Sequence, residues 1–419
     1  MQSENLQIVS AVLFAAALAH TFATKFFEVL AHRHPRHSGL FHLLGEVEVV
    51  FGFWAMVLMI AMAVLVGSRA AVAYAESRQY TEPLFVFVIM VVAASRPILD
   101  VVRRAIVSAA GLLPGRAAVT RVWLGLAFVP ILGSFITEPA AMTLAALLLA
   151  PQIFRQGIPE WLKYAALGVL FVNVSIGGTL TSYAAPPVLM VASAWNWDTA
   201  FMARTFGLNA AIAVLVNASA VTFLLRNYVA DAEPAARGSL RAPIPRPVSV
   251  IHLAFLAAVV AFAHHPVIFV GLFLFFLGFT QAYEQHQDPL ILKEGLLVGF
   301  FLAGLVVLGG MQQWWVQPII SGLQPVQLFF GALGLTAITD NAALTYLGSL
   351  IVGMPDDAKY MLVAGAVAGG GLSVIANAPN PAGVALLRRG FNDESIGAGS
   401  LLLGALPPTL VAAAAFLIF

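Results

Sequence analysis

Two short strings hold the residues best suited to chemistry: ITEPAAMT (136–143) and ITDNAALT (338–345). Each carries one carboxylate, Glu138 or Asp340, beside a hydroxyl or amide from Thr137, Thr339 or Asn341. Two further strings follow in the same order. GGTLTSYAAPPV (177–188) supplies Thr179, Thr181 and Ser182, and GGLSVIANAPNP (370–381) supplies Ser373, Asn377 and Asn380. Carboxylate, amide and hydroxyl oxygens are what a hard cation prefers as ligands. A carboxyl also carries H⁺. One carboxylate that holds either ion, but not both, is the smallest device for exchanging them. The competing reading is structural: Asp and Asn favour helix starts, where a side-chain oxygen accepts backbone N–H bonds, and Pro139 fits a first helical turn.

The surroundings of these strings are apolar. Of 419 residues, 60% are hydrophobic and 10% charged, and mean hydropathy is +0.91. A soluble domain carries roughly a quarter charged residues, so an ordinary soluble enzyme is excluded. A net charge of +1 gives no basic field for nucleic acid. Cys is absent, which removes disulfides and thiolate sites. No P-loop, HExxH or GxSxG motif is present. A non-enzyme driven by an ion gradient, with no cofactor, is expected.

The carboxylates must be held by membrane elements. Apolar runs near 6–31, 42–66, 83–108, 160–192, 199–227, 248–264, 266–284, 292–312, 360–387 and 398–418 read as spans. The period-two alternation of a membrane barrel is missing, so the spans are helices. Residues 119–153 and 325–354 are too long for one helix and kink at GSFITEP and LTAITDN. They read as re-entrant hairpins with arms of about 13–17 residues, short of the roughly 20 that cross a bilayer. The stretch 228–247 is a Pro- and Arg-rich linker between halves 1–227 and 248–419. Placing both termini outside puts Arg103, Arg104, Arg116, Arg121, Arg155, Arg226, Arg388 and Arg389 inside, and leaves Arg69, Arg78, Arg204 and Lys359 outside. That bias satisfies the positive-inside rule and suits a bacterial-type inner membrane.

The halves match. Ile136/Ile338, Thr137/Thr339, Ala140/Ala342, Ala141/Ala343 and Thr143/Thr345 are identical, and Glu138/Asp340 keeps the carboxylate. Lys163-Tyr164 matches Lys359-Tyr360, and Pro186 matches Pro379. Five spans per half is odd, so the second half is inverted. The expected fold is an all-α polytopic protein with an inverted repeat: ten spans, two hairpins and two broken helices. Such pairs point to a secondary transporter, with its site where the breaks meet. A channel is the lesser alternative.

Other intramembrane charges have milder readings. Arg96 and Asp100, spaced i, i+4, form an ion pair or a proton relay. Glu46 and Glu48 face different ways near the cytoplasmic end of the second span, one of them toward the core. HRHPRH (32–37) reads as a solvated basic loop rather than a metal tract.

These features resemble the ion transporter superfamily of arsenite pumps, citrate and dicarboxylate symporters and D-type sodium/proton antiporters. TDNAALT (339–345) and SVIANAPNPAG (373–383) are similar to its Asp-Asn tip and Asn-rich break, and HLLGEVEVVFGFWA (42–55) resembles a sodium/proton antiporter family within it. The resemblance implies a homodimer, with Na⁺ at Asp340, Asn341 and Asn377 in one half and at Thr137, Glu138 and Thr181 in the other. Carboxylate symporters have Ser-Asn-Thr tips, which this chain lacks. Two tip carboxylates without a tip Arg favour a cation. The expectation is therefore Na⁺(Li⁺)/H⁺ antiport by alternating access, with Asp340 the first carboxylate and Glu138 its partner. A coupled arsenite or organic-anion carrier is the alternative.

Overall fold

The computed structural model describes residues 4–112, 115–229 and 243–418. They are helical, with no strand among the described residues. The first half runs α1 (Glu4–Arg33), α2 (Ser38–Gly45), α3 (Val47–Val66), α4 (Ser68–Glu76), α5 (Thr81–Ala93), α6 (Arg96–Leu112), α7 (Ala117–Leu126), α8 (Phe128–Ile136), α9 (Glu138–Leu149), α10 (Glu160–Gly177), α11 (Pro186–Trp195), α12 (Thr199–Met202) and α13 (Leu208–Leu225). Most of the expected linker, residues 230–242, lies outside the described residues. The second half runs α14 (Arg246–Ala261), α15 (Pro266–Ala282), α16 (Leu292–Gly309), α17 (Gln313–Ser321), α18 (Pro325–Thr336), α19 (Asn341–Ser349), α20 (Asp356–Gly369), α21 (Asn380–Leu387) and α22 (Ala398–Ile418).

Six stretches among the described residues are long and apolar enough to cross a membrane: in α1, α3, α10, α12–α13, α16 and α22. The bent pairs α5–α6 and α7–α8 bring the number to eight. The chain is thus an all-α polytopic membrane protein. The helices α14 and α15, expected as spans, have 16 and 17 residues.

Prolines account for the bends. The span expected at 83–108 is two helices meeting at 62°. Pro97 has no N–H to return to Ala93, so the ladder opens at Ala94–Ser95. The first hairpin's leading arm is likewise longer than expected. It covers 117–136 and bends by 42° at Ala127. Pro130 frees the carbonyl of Leu126, and buried Asn173 of α10 donates to that carbonyl at 2.8 Å. Asn217 of α13 then donates to the Asn173 side-chain oxygen at 3.0 Å and to the Pro408 carbonyl of α22 at 3.2 Å. A buried amide network therefore ties α7, α10, α13 and α22 together where prolines weaken the α7–α8 arm and α22.

Close approach replaces hydrophobic drive between helices in lipid, so small residues sit at crossings. Gly52 of α3 meets Gly304 of α16, and Gly168 of α10 meets Gly404 of α22, with no room for a Cβ at either contact. The hairpins pack reciprocally. The first arms α8 and α18 lie on α10 and α20 of their own half. The second arms cross over: α9 packs on α21, and α19 packs on α11.

Candidate functional site

The two hairpin turns are held by the two breaks. The α8–α9 turn is one residue, Thr137, at φ 74° and ψ 152°. β-Branched residues rarely adopt that conformation, so the turn is strained. The next residue, Glu138, opens α9, and its N–H reaches the Ala184 carbonyl in the first break at 3.5 Å. The second turn repeats this arrangement. Asn341 opens α19, and its N–H donates to the Ala376 carbonyl in the second break at 3.1 Å. Asp340 is the N-cap: its Oδ1 accepts from the N–H groups of Ala342 at 2.8 Å and Ala343 at 3.2 Å. By backbone role, then, Glu138 corresponds to Asn341 and Thr137 to Asp340. The sequence identities had paired Glu138 with Asp340, one residue out of register with this geometry.

The two carboxylates consequently differ. Asp340 caps a helix and is partly exposed. Glu138 is fully buried. Its Oε2 accepts from Asn377 Nδ2 at 2.9 Å, across the two halves. Its Oε1 has no hydrogen-bond partner and lies against Gly178, where a Cβ would stand 2.5 Å from it. The Thr137 Oγ1, Asn377 Oδ1, Asn341 Oδ1, Asn380 Oδ1 and Ser373 Oγ atoms are also buried without a hydrogen-bond partner. The nitrogen of Asn380 is bound, donating to the carbonyls of Gly370 at 2.8 Å and Ser373 at 2.9 Å. Asn341 Nδ2 makes a long 3.5 Å contact to Ser175 Oγ. The amide nitrogens are thus engaged while the oxygens are not. Among the described residues neither Glu138 nor Asp340 takes part in an ion pair.

An unpaired buried charge costs several kcal/mol. A proton or a cation removes that cost at Glu138, and a set of orphaned oxygens suits either one. An anion would add to it.

The other expected residues have bonds of their own. Thr181 donates to the Ser134 carbonyl at 2.6 Å, and Thr339 to the Leu335 carbonyl at 2.8 Å. Ser182 pairs with Thr199 at 3.2 Å. Asp100 forms ion pairs with Arg103, at 2.7 Å, and with Arg104. The expectation named Arg96 as its partner, but these two guanidiniums sit on the carboxylate from the following turn. Glu46, partly exposed in the break between α2 and α3, meets Lys293 at 3.3 Å. Neither Asp100 nor Glu46 contacts the Glu138 cluster through a described bond.

Sequence reasoning missed Ser134, Ser175 and Gly178. Ser134 donates to the Gly177 carbonyl at 2.6 Å and accepts from the Leu180 N–H at 2.9 Å, which stitches the hairpin to the break. Its place in the GSFITEP kink was the available signal.

A polytopic helical protein whose chain breaks gather around a buried, unpaired carboxylate belongs to the ion-coupled membrane transporters. The family model described as "Putative Na+/H+ antiporter" matches residues 5–419. The chain belongs to that family. A comparison with curated proteins returns no match.

Proposed function

We propose that the protein exchanges Na⁺ (or Li⁺) for H⁺ by alternating access, with Glu138 as the shared carboxylate. The observation that carries this is the fully buried Glu138, hydrogen-bonded on one oxygen and orphaned on the other. In the proton-loaded form Glu138 is neutral. In the cation-loaded form Oε1 would bind the ion with Asn377 Oδ1, and Asn341 and Thr137 supply further oxygens. The two loads exclude each other because both use the same oxygen. Asp340, first in the sequence-based ranking, takes second place here, because helix capping already occupies its Oδ1. The inverted repeat, a homodimer, both termini outside and a bacterial-type inner membrane are parts of the same proposal. The positive-inside bias and the reciprocal helix contacts support it.

The test is dye-reported proton movement in proteoliposomes on adding Na⁺, Li⁺, K⁺ or a panel of anions. The expected result is proton movement with Na⁺ or Li⁺ that disappears in Glu138→Gln. Full Na⁺-dependent flux in Glu138→Gln would overturn the mechanism. A response to an anion alone would overturn the substrate.

A further inference from the structure

A cavity of about 350 Å³ lies between α5, α11, α12 and the end of α14. Its lining includes the partly buried Ser182 and Tyr183 of the first break. The next residue, Ala184, holds the N–H of Glu138 through its carbonyl. The cavity therefore touches the chain one residue before the buried carboxylate's anchor. Its lining also carries Glu82 and the exposed Ser193, Asp198 and His264. Asp198 caps α12, accepting from the Phe201 N–H at 2.7 Å. Asp198, Thr199 and Ser193 are exposed, so the mouth opens at the protein surface. Ser182 meets Thr199 of the mouth at 3.2 Å, so the first break borders the opening.

We propose that this cavity is a one-sided access vestibule for a monovalent cation, leading from the face that bears Asp198 and His264 to the break beside Glu138. The identity of the cargo rests on the antiport reading; the route does not. Glu82 and Asp198 line the mouth against the imidazole of His264 and the Arg204 guanidinium, which donates to the Ala200 carbonyl at 3.0 Å. The two carboxylates leave the mouth an excess of negative charge, which raises the local concentration of cations. The helix ends that form the mouth lie beside Arg78 and Arg204, which the charge bias places outside.

The chain has no Cys, so single cysteines report without background. Ser182→Cys and Ser193→Cys are labelled in sealed membrane vesicles of both orientations with membrane-impermeant methanethiosulfonates, one carrying trimethylammonium and one carrying sulfonate. Labelling in SDS shows that each thiol is present and reactive. We expect both cysteines to react from one face only, the same face for each. Relative to a small thiol free in solution, the preference for the cationic reagent over the anionic one should be greater by at least about tenfold. That relative preference should shrink toward unity in Glu82→Gln/Asp198→Asn. Ser182→Cys unreactive in vesicles while Ser193→Cys reacts would overturn the vestibule, as would equal reaction from both faces or faster anionic labelling. Proteoliposomes lacking Na⁺/H⁺ exchange but showing this labelling pattern would remove the antiport reading and leave the vestibule. Exchange without the pattern would remove the vestibule alone.

Discussion

Asn377 donates from Nδ2 to Glu138 Oε2 at 2.9 Å, joining the break of one half to the hairpin tip of the other. Both residues are buried, and Glu138 Oε1 and Asn377 Oδ1 have no hydrogen-bond partner. The bond fixes one face of the carboxylate and leaves the second without a hydrogen-bond partner, which is where the proposed mechanism places the ion. It also couples the two halves at the point where cargo would bind.

Removing that donor should therefore weaken ion binding more than folding. A hydrogen bond to a charged group contributes about 1.5–3 kcal/mol. Asn377→Ala is expected to raise the KM for Na⁺ in the proteoliposome assay by roughly ten- to a hundredfold, in line with that range. An unchanged KM would show that Asn377 does not hold the carboxylate during transport.

Gly178 leaves the space that Oε1 uses. In Gly178→Ala the new methyl would stand 2.5 Å from that oxygen. The carboxylate has to shift, and overpacking of this kind costs about 1–3 kcal/mol. We expect folded protein in detergent with little or no exchange. Wild-type exchange rates would mean that Glu138 binds its ion in another rotamer.

Thr137 stores strain at φ 74°. Glycine adopts that region freely, and holding another residue there costs on the order of 1–3 kcal/mol. Thr137→Gly should raise the thermal midpoint in detergent while slowing exchange, because the turn loses both its stiffness and an oxygen. A lower midpoint would show that the Thr137 side chain stabilises more than its backbone strains.

Asp340 and Glu138 should respond differently to neutral substitutions. Asp340→Asn keeps a capping oxygen, whereas Asp340→Ala loses about 1 kcal/mol of helix capping. Exchange should survive in Asp340→Asn with reduced Na⁺ affinity, and Asp340→Ala should also melt earlier. Complete loss of exchange in Asp340→Asn, with Glu138→Gln active, would return the central role to Asp340.

Competition at one carboxylate has a kinetic signature. With the carboxyl protonated, each unit fall in pH should raise the KM for Na⁺ by up to about tenfold, while the maximal rate at saturating Na⁺ holds. A KM independent of pH, measured under equal proton gradients, would point to separate sites for the two ions.

Much of this protein was legible in its sequence. Apolar runs, a low charge fraction and the absence of period-two patterning determined a helical membrane protein. Two matching polar kinks and two Gly- and Pro-marked breaks picked out Glu138, Asp340, Asn341, Asn377 and Asn380. Polar residues in lipid-length apolar runs are costly, so they stand out without any structure. The tertiary structure decided what each one does. Asp340 and Glu138 occupy aligned positions in matching strings, yet one caps a helix and the other is buried beside Asn377. That difference comes from a one-residue shift in where each arm begins, which side-chain identity does not encode. The bends at Ala94 and Ala127 needed the structure as well, because a proline removes one hydrogen bond in any helix but only neighbouring helices decide whether the freed carbonyl opens a kink. Gly178 and Ser134 escaped notice for the same reason: a missing Cβ and a hydroxyl acquire meaning only when distant segments are brought against them.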